Sequence, residues 1–198
     1  MNGKGNKVKI SFNSPVVLGF ALICLAAQLL NLLTGGASNR LVFSVYRAPL
    51  TDPLTWLRCV CHVFGHADWN HLLNNMMYLL ILGPMLEEKY GSSNLIFVML
   101  ATALVTGIVN MIFFPRVMLL GASGIVFAFI LLCSITTTET NSIPVTFILV
   151  ALLYLGQQVY QGLTAHDEIS QLGHIIGGLV GSVLGFVMNR MHMSRYSK

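Results

Sequence analysis

This sequence predicts an all-α fold, a polytopic bundle of six membrane-spanning helices, on three observations. Hydrophobic residues make up 55% of the chain and charged residues only 9%, against roughly 25% charged in a soluble domain. The apolar residues fall in runs that approach the 20 or so needed to cross a ~30 Å hydrocarbon core. All but one of the connections between those runs are too short for an extramembrane domain. The solvent for such a surface is lipid, and the chain reads as one domain without internal repeats.

The runs, in order, are Pro15–Leu33, Leu72–Leu86, Leu95–Phe114, Ala122–Thr136, Pro144–Gln161 and Leu172–Met188. The first is too long for the core of a cleavable signal peptide, so it is expected to stay as a span. Residues 1–14 read as a polar tail, 15–190 as the membrane domain and 191–198 as a second tail. The one long connection, about 34–70, reads as an interfacial loop.

An even number of spans puts both termini on one side. Lys4, Lys7, Lys9, Lys89, Arg190, Arg195 and Lys198 then share a face, and Arg40, Arg47, Arg58 and Arg116 lie opposite. The bias favours cytoplasmic termini in a cell membrane. The net charge of +4 follows from this topology and from contact with anionic headgroups. No basic cluster lies outside the membrane flanks, so nucleic acid is not an expected partner. Oligomeric state has no signature in the sequence.

The cysteines carry little. Cys24 and Cys133 lie in different spans and read as small core hydrophobes, while Cys59 and Cys61 are spaced too tightly for an easy disulfide. In the long loop, prolines and arginines break the apolar stretch Arg47–Arg58, which suits the interface with Trp56 at headgroup depth.

The densest polar cluster follows. His62 and His66 are four residues apart, as are His71 and Asn75, so each pair can share a helix face. His71 and Asn75 fall at the outer end of the second span, where polar groups are costly unless they face the bundle interior or water. They fit a functional site, and they also fit hydrogen-bonding glue between helices. A zinc site from His62, His66 and His71 competes, but His-Glu-x-x-His is absent and no carboxylate stands between His62 and His66. No metal or other cofactor is expected.

The fourth run is short, about 15 residues or roughly 22 Å of helix. Its helix is expected to begin near Ser123, below the outer surface, where irregular backbone must be covered by protein or line a wet cavity. A serine at a helix start has unpaired N–H groups and the positive dipole end beside it, both suited to a developing oxyanion. Gly121, Ala122 and Gly124 leave room for a substrate backbone. The same four residues also read as a helix-packing motif or N-cap.

A serine needs a base to become nucleophilic. His174 is the candidate, because its span carries Gly177, Gly181 and Gly185 at four-residue spacing with Gly178 beside them. Such a ridge packs closely on another helix, and the segment around Gly121–Gly124 is the expected partner. Phe127, one turn after Ser123, is placed to pack on the imidazole. No Asp or Glu follows Glu168 in the sixth span, so a Ser–His dyad is the simpler arrangement.

Taken together, His66 with His71-Leu72-Leu73-Asn74-Asn75-Met76, then Gly121-Ala122-Ser123-Gly124, then Gly173-His174-Ile175-Ile176-Gly177 resemble the rhomboid family of intramembrane serine proteases. The resemblance runs from about Pro15 to Met188. It implies Ser123 as nucleophile, His174 as general base, and His71, Asn75 and the Ser123 N–H as the oxyanion hole, with Gly121, Gly124, Phe127 and His66 in support. It further implies that Glu87, in the turn Gly83–Gly91, ties helices together at the cytoplasmic side, and that Arg58 is the arginine of the interfacial loop. The chain departs from the family's usual residues at Gly173, where alanine is common, and at Phe127, where tyrosine is frequent; neither removes a catalytic group.

The implied activity is a serine endopeptidase that cleaves single-span transmembrane substrates near the outer membrane face. The fifth span and the loop Gly162–Glu168 would be its lateral gate and cap. His166, Asp167 and Glu168 in that loop read as solvated headgroup-level groups. Two other functions compete: a non-proteolytic relative that escorts membrane clients, and a small transporter relaying protons through His71, Asn75 and His174. Retention of both Ser123 and His174 argues against the first, and the lack of two related halves against the second.

Overall fold

The computed structural model describes residues 12–135, 143–164 and 175–188. Eight α-helices account for most of them: α1 Pro15–Leu33, α2 Ala37–Leu41, α3 Pro53–Cys61, α4 Trp69–Tyr90, α5 Ser92–Phe113, α6 Ser123–Ile135, α7 Val145–Thr164 and α8 Ile175–Met188. A short 3₁₀ turn, His62–Phe64, follows α3. Among the described residues there is no strand, only one antiparallel bridge between Val45 and Leu119.

Among the described residues two helices, α1 and α5, are long and apolar enough to cross a membrane; α6 and α8 are apolar but shorter. Large apolar side chains point outward all round the bundle. Leu22, Leu33, Leu73, Ile81, Phe97 and Phe113 each leave more than half their surface open, far beyond the patches a water-facing surface tolerates. The interior buries Val17, Leu79, Leu86, Leu95, Ile125, Phe129 and Leu132 completely.

The central helix is α6, which packs against α4, α5 and α7 and against α8 through the latter's glycines. A Cβ on Gly177 would overlap the backbone of Gly124, one on Gly181 would lie 2.6 Å from Ala128 Cβ, and one on Gly185 would lie 2.7 Å from Leu132 Cδ1. Four-residue steps on both helices meet in register, so α6 and α8 run parallel with backbones nearly touching. The ridge expected from the glycine spacing is therefore present, and its partner is the helix that begins at Ser123.

At the opposite end, α1 starts on Pro15 with no side-chain cap from Ser14. Glu87 of α4 takes that role. Its two carboxylate oxygens accept from the N–H groups of Val16 and Val17, each at 3.1 Å, and Ser92 Oγ donates to Oε1 at 2.7 Å. A buried carboxylate thus sits on the positive end of a helix dipole, where it satisfies two orphan donors. The turn from α4 to α5 passes through Gly91, whose φ of +82° favours glycine.

The long loop is a folded layer. Asp52 caps α3 by accepting from Leu54 N at 3.0 Å, and Pro53 opens that helix. Arg58 is buried; its Nε donates to Leu41 O at 2.9 Å and its guanidinium lies 4.8 Å from the Tyr46 ring. Trp56, Leu54 and Leu57 of α3 stay exposed, which suits a helix lying at the interface.

Several boundaries differ from the sequence reading. The second run extends from Leu72–Leu86 to Trp69–Tyr90, because Asp68 caps the helix by accepting from His71 N at 2.8 Å. The third run begins earlier, at Ser92. Helix α7 continues to Thr164, so Gly162–Thr164 is helix and not loop. The remainder of that loop, with His166, Asp167 and Glu168, lies outside the described residues, as do the two tails up to residue 11 and from residue 189.

Candidate active site

Four clamps hold the chain that delivers Ser123 to the start of α6. Asn110, buried near the end of α5, donates from Nδ2 to Val45 O at 3.1 Å and to Val117 O at 3.0 Å. Val45 and Leu119 then exchange two backbone hydrogen bonds of 2.9 Å, and Gly121 N donates to His62 O at 2.9 Å. Gly121 itself adopts φ +122°, a conformation that L side chains rarely reach. The turn completes at Ala122, whose carbonyl accepts the first helical bond from Val126 N at 3.0 Å. The N–H groups of Ser123, Gly124 and Ile125 are therefore first-turn donors without intrahelical partners. Ser123 is half-buried and Ala122 fully so.

His71 and Asn75 come to the same place from α4. A Cβ built on Gly121 would lie 2.7 Å from His71 Nε2 and 3.8 Å from Asn75 Nδ2, so both side chains face the backbone two residues before Ser123. Asn75 is buried, and among the described residues its Nδ2 has no hydrogen-bond partner. An amide donor left open at that depth costs about 1–3 kcal/mol. It is the kind of cost a binding site carries.

Behind them stands His66, fully buried, its ring edge-on to His71 with centroids 5.0 Å apart. Its Nδ1 lies 3.2 Å from Phe64 O; a carbonyl only accepts, so that nitrogen carries the proton. Nε2 is then the lone-pair nitrogen, buried without a partner among the described residues. Burial, reinforced by the nearby His71, lowers the imidazole of His66 to about 4, so it is neutral at pH 7. Asn39 of α2 donates to His66 O at 2.9 Å and pins the loop.

His62 lies on the other side of Gly121. Its Nδ1 meets Cys59 O at 3.1 Å and its Nε2 meets Thr106 Oγ1 at 3.3 Å. Burial holds this imidazole down to about 4 as well. His62 and His66 do not share a helix face, although their spacing allows it. Helix α3 ends at Cys61, and Gly65 is extended with Phe43 packed where a Cβ would go. The histidines point into different surroundings. Among the described residues no three His, Cys, Asp or Glu side chains are grouped to hold a metal ion.

The structure thus brings Ser123, Gly121, Gly124, His71, Asn75 and His66 together. Phe127, half-buried, is one turn along α6 from Ser123. Gly173 and His174 lie outside the described residues, which resume at Ile175. Sequence reasoning passes over three contributors: Asn39, Thr106 and Asn110. A signal for two of them exists, since Thr102, Thr106 and Asn110 recur every fourth residue and form a polar stripe on an otherwise apolar helix.

Fold and site together define a class of all-helical, bilayer-embedded proteins that present a serine at a buried helix start beside an imidazole and a carboxamide. This chain belongs to the rhomboid family: residues 53–191 match the Rhomboid domain. It is 26% identical over 149 residues to rhomboid-like protein 11, chloroplastic, of Arabidopsis thaliana, covering 68% of this chain and 53% of that protein. It is 27% identical over 178 residues to rhomboid protease GlpG of Yersinia pestis (strain Pestoides F), covering 87% of this chain and 62% of the relative. The same figures hold for rhomboid protease GlpG of Yersinia pseudotuberculosis serotype O:3. The chain therefore spans between half and two thirds of the length of these curated relatives.

Proposed function

We propose that this chain is an intramembrane serine endopeptidase with six spans and cytoplasmic termini, cleaving single-span transmembrane helices near the outer membrane face. The observation that carries the reading is the convergence on Gly121-Ala122-Ser123. A hydroxyl at a helix start, first-turn N–H groups without intrahelical partners, the His71 ring and the Asn75 Nδ2, unpartnered among the described residues, meet within one turn of backbone. That combination is what an oxyanion site requires. The relatives named rhomboid protease GlpG support the peptidase class.

His174 is the general base in this reading. It immediately precedes Ile175, the first described residue of α8, and Gly177 three positions later packs on Gly124. That register is what supports assigning the base to His174. His174 takes the proton of Ser123 Oγ as the oxygen attacks the scissile carbonyl. The tetrahedral oxyanion is held by the Ser123 N–H, His71 and Asn75 Nδ2. Collapse breaks the C–N bond, and the imidazolium returns its proton to the leaving amine. Water, deprotonated by the same imidazole, then releases the acyl group and restores Ser123.

Peptide bonds in a membrane helix are shielded by their own hydrogen bonds, so the substrate must unwind locally to reach Ser123. Helix α7 and the residues up to Glu168 serve as gate and cap. In proteoliposomes carrying a model single-span substrate, the wild type cleaves at one site and Ser123→Ala and His174→Ala do not. A metal chelator leaves the wild type active. Cleavage by Ser123→Ala would refute the reading, and a folded wild type that binds but never cuts would favour a client-binding relative.

A further inference from the structure

The connection from α5 to α6, residues 114–122, is irregular apart from the bridge between Val45 and Leu119. It delivers Ser123 to the start of α6, so its placement depends on the groups that hold it from outside. Asn110, buried in the last turn of α5, holds it through one carboxamide. Its Nδ2 donates to Val45 O at 3.1 Å and to Val117 O at 3.0 Å. Carbonyls only accept, so both hydrogens of that nitrogen are used. Val45 O accepts a second bond, from Leu119 N at 2.9 Å. One side chain therefore joins the end of α5, the long loop at Val45 and the approach to Ser123 at Val117.

The surroundings strengthen this clamp. Val45, Cys59 and Met111 form a buried apolar cluster, with Ile108 and Leu119 packed against it. Hydrogen bonds are stronger in such low-dielectric surroundings than in water. Without the carboxamide, Val45 and Leu119 would keep only a lone two-bond bridge, and isolated strand pairing is marginal even in a full hairpin.

We propose that Asn110 is a positioning residue for Ser123. Its carboxamide holds residues 117–121 against Val45, and so sets the turn at Gly121 and the place of the Ser123 hydroxyl relative to His71 and Asn75. Asn110 acts through backbone carbonyls and not on reacting atoms. Its loss therefore lowers kcat and leaves KM unchanged. A displacement of about 1 Å at the nucleophile costs on the order of 10²-fold in rate.

The inference rests on the peptidase reading of Ser123, so its test pairs activity with a readout that needs none. Hydrogen exchange of the full chain in nanodiscs is followed by mass spectrometry at residues 43–47 and 117–121. In the wild type the Val45 and Leu119 amides exchange slowly and together, because one bridge protects both. Asn110→Leu keeps the branched shape and removes both donors. In it, both segments exchange faster by about tenfold, the worth of one net hydrogen bond. Val16 and Val17, bonded to Glu87, keep their wild-type rates. Fluorophosphonate acylation of Ser123 and kcat on a transmembrane substrate fall by about 10–100-fold at unchanged KM. Asn110→Ala, which adds no volume, gives the same pattern. The joint protection of the two segments is read in the wild type alone, so it decides even where a variant does not fold. Unprotected Val45 and Leu119 amides in the wild type would overturn the inference. So would faster exchange at 117–121 with undiminished acylation. Faster exchange at Val16 and Val17 as well, with acylation per folded molecule unchanged, would reduce Asn110 to a stabilising residue. A wild type that neither acylates nor cleaves, with the exchange contrast intact, would instead refute the peptidase reading and not the clamp.

Discussion

The His71 ring lies against the bare α-carbon of Gly121, its Nε2 2.7 Å from where a Cβ would stand. This contact couples the start of α4 to the turn that presents Ser123. It also explains why position 121 must be glycine, since the backbone there has φ +122° and no side-chain volume is available. Gly121→Ala is expected to displace His71 and distort the turn, lowering kcat on the order of 10²-fold or more. Steady-state cleavage of a transmembrane substrate in proteoliposomes measures it.

Asn75 separates a catalytic role from a structural one. Its Nδ2 is buried and makes no hydrogen bond among the described residues, so it contributes little to holding the described helices together. Asn75→Ala is expected to reduce kcat by roughly 10²–10³-fold while the melting temperature in detergent stays near wild type. A large fall in melting temperature with a proportionate loss of activity would instead assign Asn75 to helix–helix bonding.

The glycine ridge predicts a contrast between two substitutions of the same kind. Gly181→Ala drives a methyl group into the backbone and side chain of Ala128, with Ala128 Cβ only 2.6 Å away. Overpacking of that sort costs about 1–3 kcal/mol, and here backbone opposes backbone. Gly19→Ala meets open space and gains helix propensity of about 0.5–1 kcal/mol. Thermal unfolding in one detergent is expected to rank Gly19→Ala at or above wild type and Gly181→Ala well below.

Much of this arrangement is legible in the sequence because it rests on spacing. The bounds of α1 are set by Pro15 and the end of an apolar run, and glycines four apart announce a close helix pair. The start of α6 at Ser123 follows from a run too short to span. Polar ends of helices are less legible: α4 extends beyond its apolar run because Asp68 and Glu87 satisfy its start and hold its end. The loop histidines mislead, since four-residue spacing implies a shared face only on a continuous helix and Gly65 interrupts it. Asn110 and Thr106 act through tertiary hydrogen bonds to Val45, Val117 and His62, partners that sequence distance conceals.

The buried histidines make stability depend on pH. Native His62 and His66 take up a proton only near pH 4, whereas the unfolded imidazole does so near 6.5. Between those values the unfolded chain binds more protons, so stability falls as pH drops from 6.5 toward 4 and is unaffected by these groups above about 7. Melting temperatures measured from pH 7.5 to 4.5 should decline, and His66→Asn should decline less steeply than wild type.

An activated Ser123, the nucleophile we propose, reacts covalently with a serine-hydrolase reagent. Purified wild type, Ser123→Ala and His174→Ala are treated with a fluorophosphonate and their intact masses are read. One adduct on the wild type, mapped to the peptide containing Ser123 and absent from both variants, is the predicted result. An unlabelled wild type, or an adduct that persists in Ser123→Ala, would contradict it.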